Sequence, residues 1–153
     1  MDEDWQLPPR KRIQRWRELR KRICEYSDLL EQLQVVLEFW RTTPIGTSTI
    51  DPFDESTWST PWELLHQNDY DENVISLGMA YTLHYSNISC RLLLVQNVEK
   101  SNIKLIVLVD NKYILNYNYN NIDTTDIIEK ELEVLKNIDA VSYTHLRAHE
   151  TCV

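Results

Sequence analysis

Residues 90–119 read CRLLLVQNVEKSNIKLIVLVDNKYILNYNY. Two polar breaks divide this stretch into three runs rich in β-branched and aromatic residues. The pattern predicts strands over 90–98, 104–109 and 113–119. Asp110-Asn111-Lys112 supplies the turn between the last two, so these form an antiparallel hairpin. The unbroken apolar run over 92–95 predicts a strand covered on both faces. Alternation in the third run puts Tyr113, Leu115, Tyr117 and Tyr119 on one face. A sheet of about three antiparallel strands is therefore the centre of the fold.

Outward from the sheet, the flanks read as helical. Upstream, Thr60-Pro61-Trp62-Glu63 has a cap residue, a proline at the first helical position and a glutamate three residues after the cap. That is a capping box opening a short helix that ends near Asn68. Asp71-Glu72-Asn73 opens another, over about 74–85, and Gly78 inside it predicts a close helix contact, since an interior glycine otherwise costs about 1 kcal/mol. Downstream, Thr124 or Thr125 caps an expected helix to about 137, carrying Ile127, Ile128, Leu132, Val134 and Leu135. Further upstream, Leu19, Ile23, Tyr26, Leu30, Leu33, Leu37 and Trp40 recur at alternating spacings of four and three. This is a heptad seam on one long helix, or on two broken near Ser27 and Asp28. Packing onto its own domain is the favoured reading; a coiled-coil dimer is the other. Residues 42–59 contain Pro44, Gly46 and Pro52 and read as a loop, with Ile45, Ile50, Phe53 and Trp58 packing it on the body. The fold class is α+β, a small antiparallel sheet packed by helices.

The organisation expected is a basic N-terminal helix (1–42), a packed loop (43–59), an α+β core (60–140) and a tail (141–153). The tail reads VSYTHLRAHETCV. Its first eleven residues resemble the translation of a transposase-end sequencing adapter, in a single frame. On that reading the tail is not native, the source is a metagenomic contig that ends inside its reading frame, and the spacing of His145, His149 and Cys152 is not a zinc site. The body then offers only His66 and His84, and only Cys24 and Cys90.

With 153 residues, 42% of them hydrophobic and 26% charged, the chain can bury a sizeable core. It has no apolar run long enough for a membrane helix and no signal-peptide core. With only Gly46 and Gly78 there is no phosphate loop or dinucleotide fingerprint, and no CxxC, HExxH or GxSxG occurs. No cofactor and no metal are expected. His66 and His84 read as polar residues at helix ends, Cys24 as a partly buried residue, and both cysteines as free thiols of a reducing compartment.

The net charge of −8 is unevenly spread. The first 22 residues hold eight basic and four acidic residues, and the rest hold eight and twenty. The cations are Arg10, Lys11, Arg12, Arg15, Arg17, Arg20, Lys21 and Arg22. They are a candidate contact for a partner or for phosphate, with Trp5 and Trp16 nearby to add packing area. A solvated helix face is the plain alternative. Nucleic-acid contact would weaken steeply with salt, and the acidic body argues against a dedicated nucleic-acid-binding domain.

From residue 60 onward the order of elements resembles a transglutaminase-like or papain-like cysteine hydrolase core. That resemblance implies a helix presenting Cys, a following strand presenting His, and the next strand presenting Asp or Asn. The matching places are Asp71-Glu72-Asn73, Lys104 or Leu105, and Leu115-Asn116-Tyr117. The thiol and imidazole are missing, so Asp71, Lys104 and Asn116 are degenerate positions and only Asn116 could keep a family role. Ile45-Gly46-Thr47, Thr60-Pro61-Trp62-Glu63-Leu64 and Ser76 to Leu83, within residues 40–120, resemble a family of small proteins of tailed phages of marine bacteria. That resemblance implies a viral origin, in the host cytoplasm or the virion, and no defined activity. The leading expectation is a non-catalytic phage accessory protein that binds a protein partner or itself, away from membranes. The alternatives are a diverged cysteine hydrolase using Cys90 with His84, and nucleic-acid contact through residues 10–22.

Overall fold

The structure is a computed structural model that describes residues 3–47, 49–118 and 121–139. The adapter-like reading of the tail lies outside the described residues. In chain order come α1 (Glu3–Gln6), α2 (Pro9–Glu25), α3 (Leu29–Trp40), α4 (Pro61–Gln67), α5 (Glu72–Tyr85), β1 (Cys90–Asn97), β2 (Ile103–Val109), β3 (Tyr113–Leu115), β4 (Asp123–Thr124), α6 (Asp126–Glu131) and β5 (Leu132–Asp139). The strands form one antiparallel sheet in the order β4-β3-β2-β1-β5. The class is α+β.

The heptad seam lies on two helices. Tyr26 and Asp28 are extended, and the Gln32 side-chain amide donates to the Ile23 and Tyr26 carbonyls (3.0 and 3.1 Å), which satisfies the end of α2. The break turns Tyr26 and Leu30 outward, while Leu19, Ile23, Leu33, Leu37 and Trp40 are buried in the chain's own core. At α4 the capping box is present: Thr60 Oγ1 accepts from the Glu63 N–H, and Glu63 Oε1 accepts from the Thr60 N–H. The loop before it is only half packed. Ile50 and Trp58 are buried, but Ile45 and Phe53 are exposed, Ile45 because its backbone pairs beside Tyr70 with its side chain outward.

The sheet has two covered faces. Leu92, Leu94, Leu105, Val107, Val109 and Leu115 join the main core, and α5 packs against β1 and β2. Leu93, Val95, Ile106, Leu108 and Ile114 face the other way and meet Ile127 and Ile128 of α6. Two strand expectations need correction. β3 stops at Leu115, because Asn116 takes a left-handed backbone (φ 65°) and breaks the alternation. Tyr117 therefore packs on the opposite cluster from Tyr113 and Leu115. The expected C-terminal helix ends at Glu131, and 132–139 is strand β5, paired with β1. A register shift between Leu94 and Val95 leaves Leu135 as a bulge, so the i, i+3 spacing of Leu132 and Leu135 mimics a helix. Without β5 the buried strand β1 would keep an unpaired edge.

The helices are tied to α5 at one atom. Thr82 Oγ1 accepts hydrogen bonds from the Trp16 and Trp40 indole N–H groups, both at 3.0 Å, and donates to the Gly78 carbonyl at 2.7 Å. Gly78 is where Trp40 crosses α5; a Cβ there would stand 2.5 Å from the indole ring. Thr82→Val strands two buried donors at about 1–3 kcal/mol each and is expected to lower stability by about 2–5 kcal/mol in urea unfolding. Thr82→Ser keeps the hydroxyl and is expected to cost only about 1 kcal/mol.

Candidate functional site

β3 ends opposite Val107, so Leu105 of β2 has no strand partner on that side. The first turns of α5 supply the missing groups. Asn73 Oδ1 accepts from the Leu105 N–H (2.9 Å), and Ser76 Oγ donates to the Leu105 carbonyl (2.8 Å). Asn116 then closes the network, its amide donating to Ser76 Oγ (2.7 Å) and to the Glu72 carbonyl (2.8 Å). Asp71 caps α5, accepting from the Val74 N–H at 2.8 Å. Glu72 reaches across to β2, with its carboxylate 3.4 Å from Lys104 Nζ. Lys104 also donates to the Tyr117 carbonyl (3.4 Å).

Lys104 and Asn116 thus sit together around the first turn of α5, while the Asp71 carboxylate is spent on the cap. Sequence reasoning did not single out Glu72 as the partner of Lys104, nor Ser76 and Asn73. The signal was the Asp-Glu-Asn tripeptide, but which of its members faces β2 is set by helix phase. The group borders a cavity of about 290 Å³ whose floor includes Leu37, Trp40, Ile75 and Met79 and whose rim includes Arg41 and Asn118.

The other candidates lie elsewhere. The buried Cys90 thiol donates to the Ala80 carbonyl (3.5 Å). His84 is in the last turn of α5, edge-on to the Tyr85 ring. Cys24 is exposed, which corrects the expectation of partial burial. His66 is exposed in the last turn of α4. Among the described residues no group of three or more His, Cys, Asp or Glu is placed to hold a metal ion. No helix among them is long and apolar enough to cross a membrane.

The cationic segment is divided. Arg12 is buried and donates to the carbonyls of Leu65 (2.7 Å), His66 (2.9 Å) and Leu7, so it caps the end of α4. Arg20 is buried with its guanidinium 4.3 Å from the Trp16 ring centre. Arg15 lies near Asp4 and Glu18, and Arg22 near Glu38, all at the surface. Arg10, Lys11, Arg17 and Lys21 are exposed. Trp5 and Trp16 are buried in the core and add no packing area to a contact surface.

No protein-family model matches the chain, and no curated protein matches it. Solved structures do. Calcium-bound LapG of Legionella pneumophila superposes with a TM-score of 0.68 at 16% identity, over 91% of this chain and 80% of that one. A second LapG structure gives 0.67 at 16% identity, over 91% and 80%. The EGTA-treated form gives 0.67 at 16% identity, over 91% and 78%. This chain shares the fold of LapG.

Burial lowers the His84 pKa from its ordinary 6.5, against an opposing pull from Asp139. The unfolded chain therefore takes up the His84 proton first, so the contribution of neutral His84 to stability is present above pH 6.5 and lost as pH falls from 6.5 towards the folded value. His84→Gln is expected to reduce the drop in urea midpoint between about pH 8 and pH 6.

Proposed function

We propose that this chain is a non-catalytic protein of transglutaminase-like fold that works by binding a partner. The Glu72–Lys104 ion pair carries the reading. It occupies the helix start and strand where the fold, by resemblance, presents a thiol and an imidazole. Thiol catalysis needs a thiolate and a base to generate it, and a carboxylate held against an ammonium is neither. Asn116, the one position able to keep a family role, has its amide engaged with Ser76 and the Glu72 backbone. The exposed cations Arg10, Lys11, Arg17 and Lys21 on α2 are a second contact surface for a partner, with phosphate as the alternative occupant. The viral setting rests on the resemblance within residues 40–120 alone.

The shared fold with LapG favours a second reading, a diverged cysteine hydrolase. It would have to act through Cys90, which is 7% exposed and whose thiol donates to the Ala80 carbonyl. Alkylation by iodoacetamide separates the two. On the binding reading, Cys90 in the native chain reacts roughly a hundredfold slower than in the unfolded chain. Fluorogenic peptides and glutamine peptides are turned over no faster by the native chain than by the Cys90→Ser variant. Rapid modification of Cys90, together with turnover lost in Cys90→Ser, would establish the hydrolase instead.

A further inference from the structure

Two cavities meet at Lys104. The larger, about 290 Å³, has the apolar floor described above. The smaller, about 110 Å³, is bordered by Lys100, Lys104, Asn97, Asn102 and Asn118, with no carboxylate among its described lining residues. Lys104, Tyr117 and Asn118 border both. The amides of Asn97 and Asn118 are engaged, donating to Tyr117 Oη (2.9 Å) and to the Asp123 carboxylate (3.2 Å), so the charge that selects an oxyanion at this small polar cavity is that of the Lys100 and Lys104 ammonium groups. An apolar floor beside it selects an aliphatic or aromatic substituent.

We propose that the joined cavities bind a small carboxylate that carries an apolar substituent. The anion lies between Lys100 and Lys104, and the substituent lies over Ile75 and Met79. The inference deepens the binding role proposed above and rests on it. Glu72 fits the same scheme as a removable counter-ion. Its side chain is 54% exposed against 12% for Lys104, so solvent takes up the carboxylate readily once a ligand anion replaces it. The exposed Ile45 at the cavity rim gives a bound substituent further apolar area to cover. A peptide's C-terminal residue and a free acyl amino acid share this chemistry.

The test is calorimetric titration of the full chain with N-acetyl-leucine, N-acetyl-leucinamide and inorganic phosphate. N-acetyl-leucine is expected to bind, and the uncharged amide to bind about tenfold more weakly or worse. Lys104→Met keeps the aliphatic stem and is expected to lose about tenfold in affinity. Lys100→Gln, at an exposed position, is expected to weaken binding without touching the core. Glu72→Gln is expected to tighten it, because Lys104 then has no competing carboxylate. A tetrapeptide ending in leucine that binds more tightly than N-acetyl-leucine assigns the site to a peptide terminus; equal affinity assigns it to the small carboxylate. Absence of N-acetyl-leucine binding, equal affinity for acid and amide, equal affinity for phosphate alone, or indifference to both lysine variants would each overturn the proposal. Cys90-dependent hydrolysis of the tetrapeptide would sink the non-catalytic reading while leaving Lys104-dependent binding standing, so the two failures are distinguishable.

Discussion

One hydroxyl group holds the helical layer in place. Thr82 Oγ1 accepts from two tryptophan indoles and donates to a backbone carbonyl, which uses its one proton and both lone pairs. The arrangement fixes α2 and α3 against α5 at once. It works only because Gly78, one turn earlier, leaves room for the Trp40 ring. Helix α5 in turn packs on β1 and β2 and carries Glu72 at its start. The relation between Glu72 and Lys104 therefore depends on a joint at the far end of the same helix.

The candidate site follows from the early end of a strand. Where β3 stops, the backbone groups of Leu105 need other partners, and Asn73 and Ser76 provide them. Asn116, left-handed at the strand's end, ties that substitute ladder back to Glu72. A satisfied network of this kind holds a single geometry, because any slip would strand a buried polar group. Its members are occupied with structure, and the groups left to meet a ligand are Lys104, Glu72 and the cavity walls.

What was legible in the sequence was local. The capping box at Thr60, the turn at 110–112 and the close approach at Gly78 are each decided by residues within a few positions, and each is present. The strand at 132–139 was not legible, because its partner β1 lies some forty residues earlier and its bulge imitates a helical spacing. The basic cluster misled in a similar way. Arg12 and Arg20 look like their neighbours in sequence, yet each also meets a distant group: Arg12 the carbonyls of Leu65 and His66, 53 and 54 positions away, and Arg20 the ring of Tyr85, its guanidinium 5.3 Å from the ring centre. At the candidate site, the order of elements grouped Asp71, Lys104 and Asn116. It did not reveal that Asp71 serves the cap and Glu72 faces the lysine, since that is a matter of one residue of helix phase.

The length of the chain between Trp16 and Thr82 has a consequence for biosynthesis. The two residues are 66 positions apart. At a translation rate of about 5–20 residues per second, Trp16 is added to the chain roughly 3–13 s before its hydrogen-bond acceptor is. Over that interval α2 is a 17-residue segment with only α3, and later α4, to pack on, and at that length an isolated helix is barely stable in water. Its indole and isoleucine face is open to chaperones, and its arginines keep the nascent segment soluble in the meantime. An early segment thus waits on a later one for its buried hydrogen bond, and α2 settles against α3 and α4 as well as at Thr82 of α5.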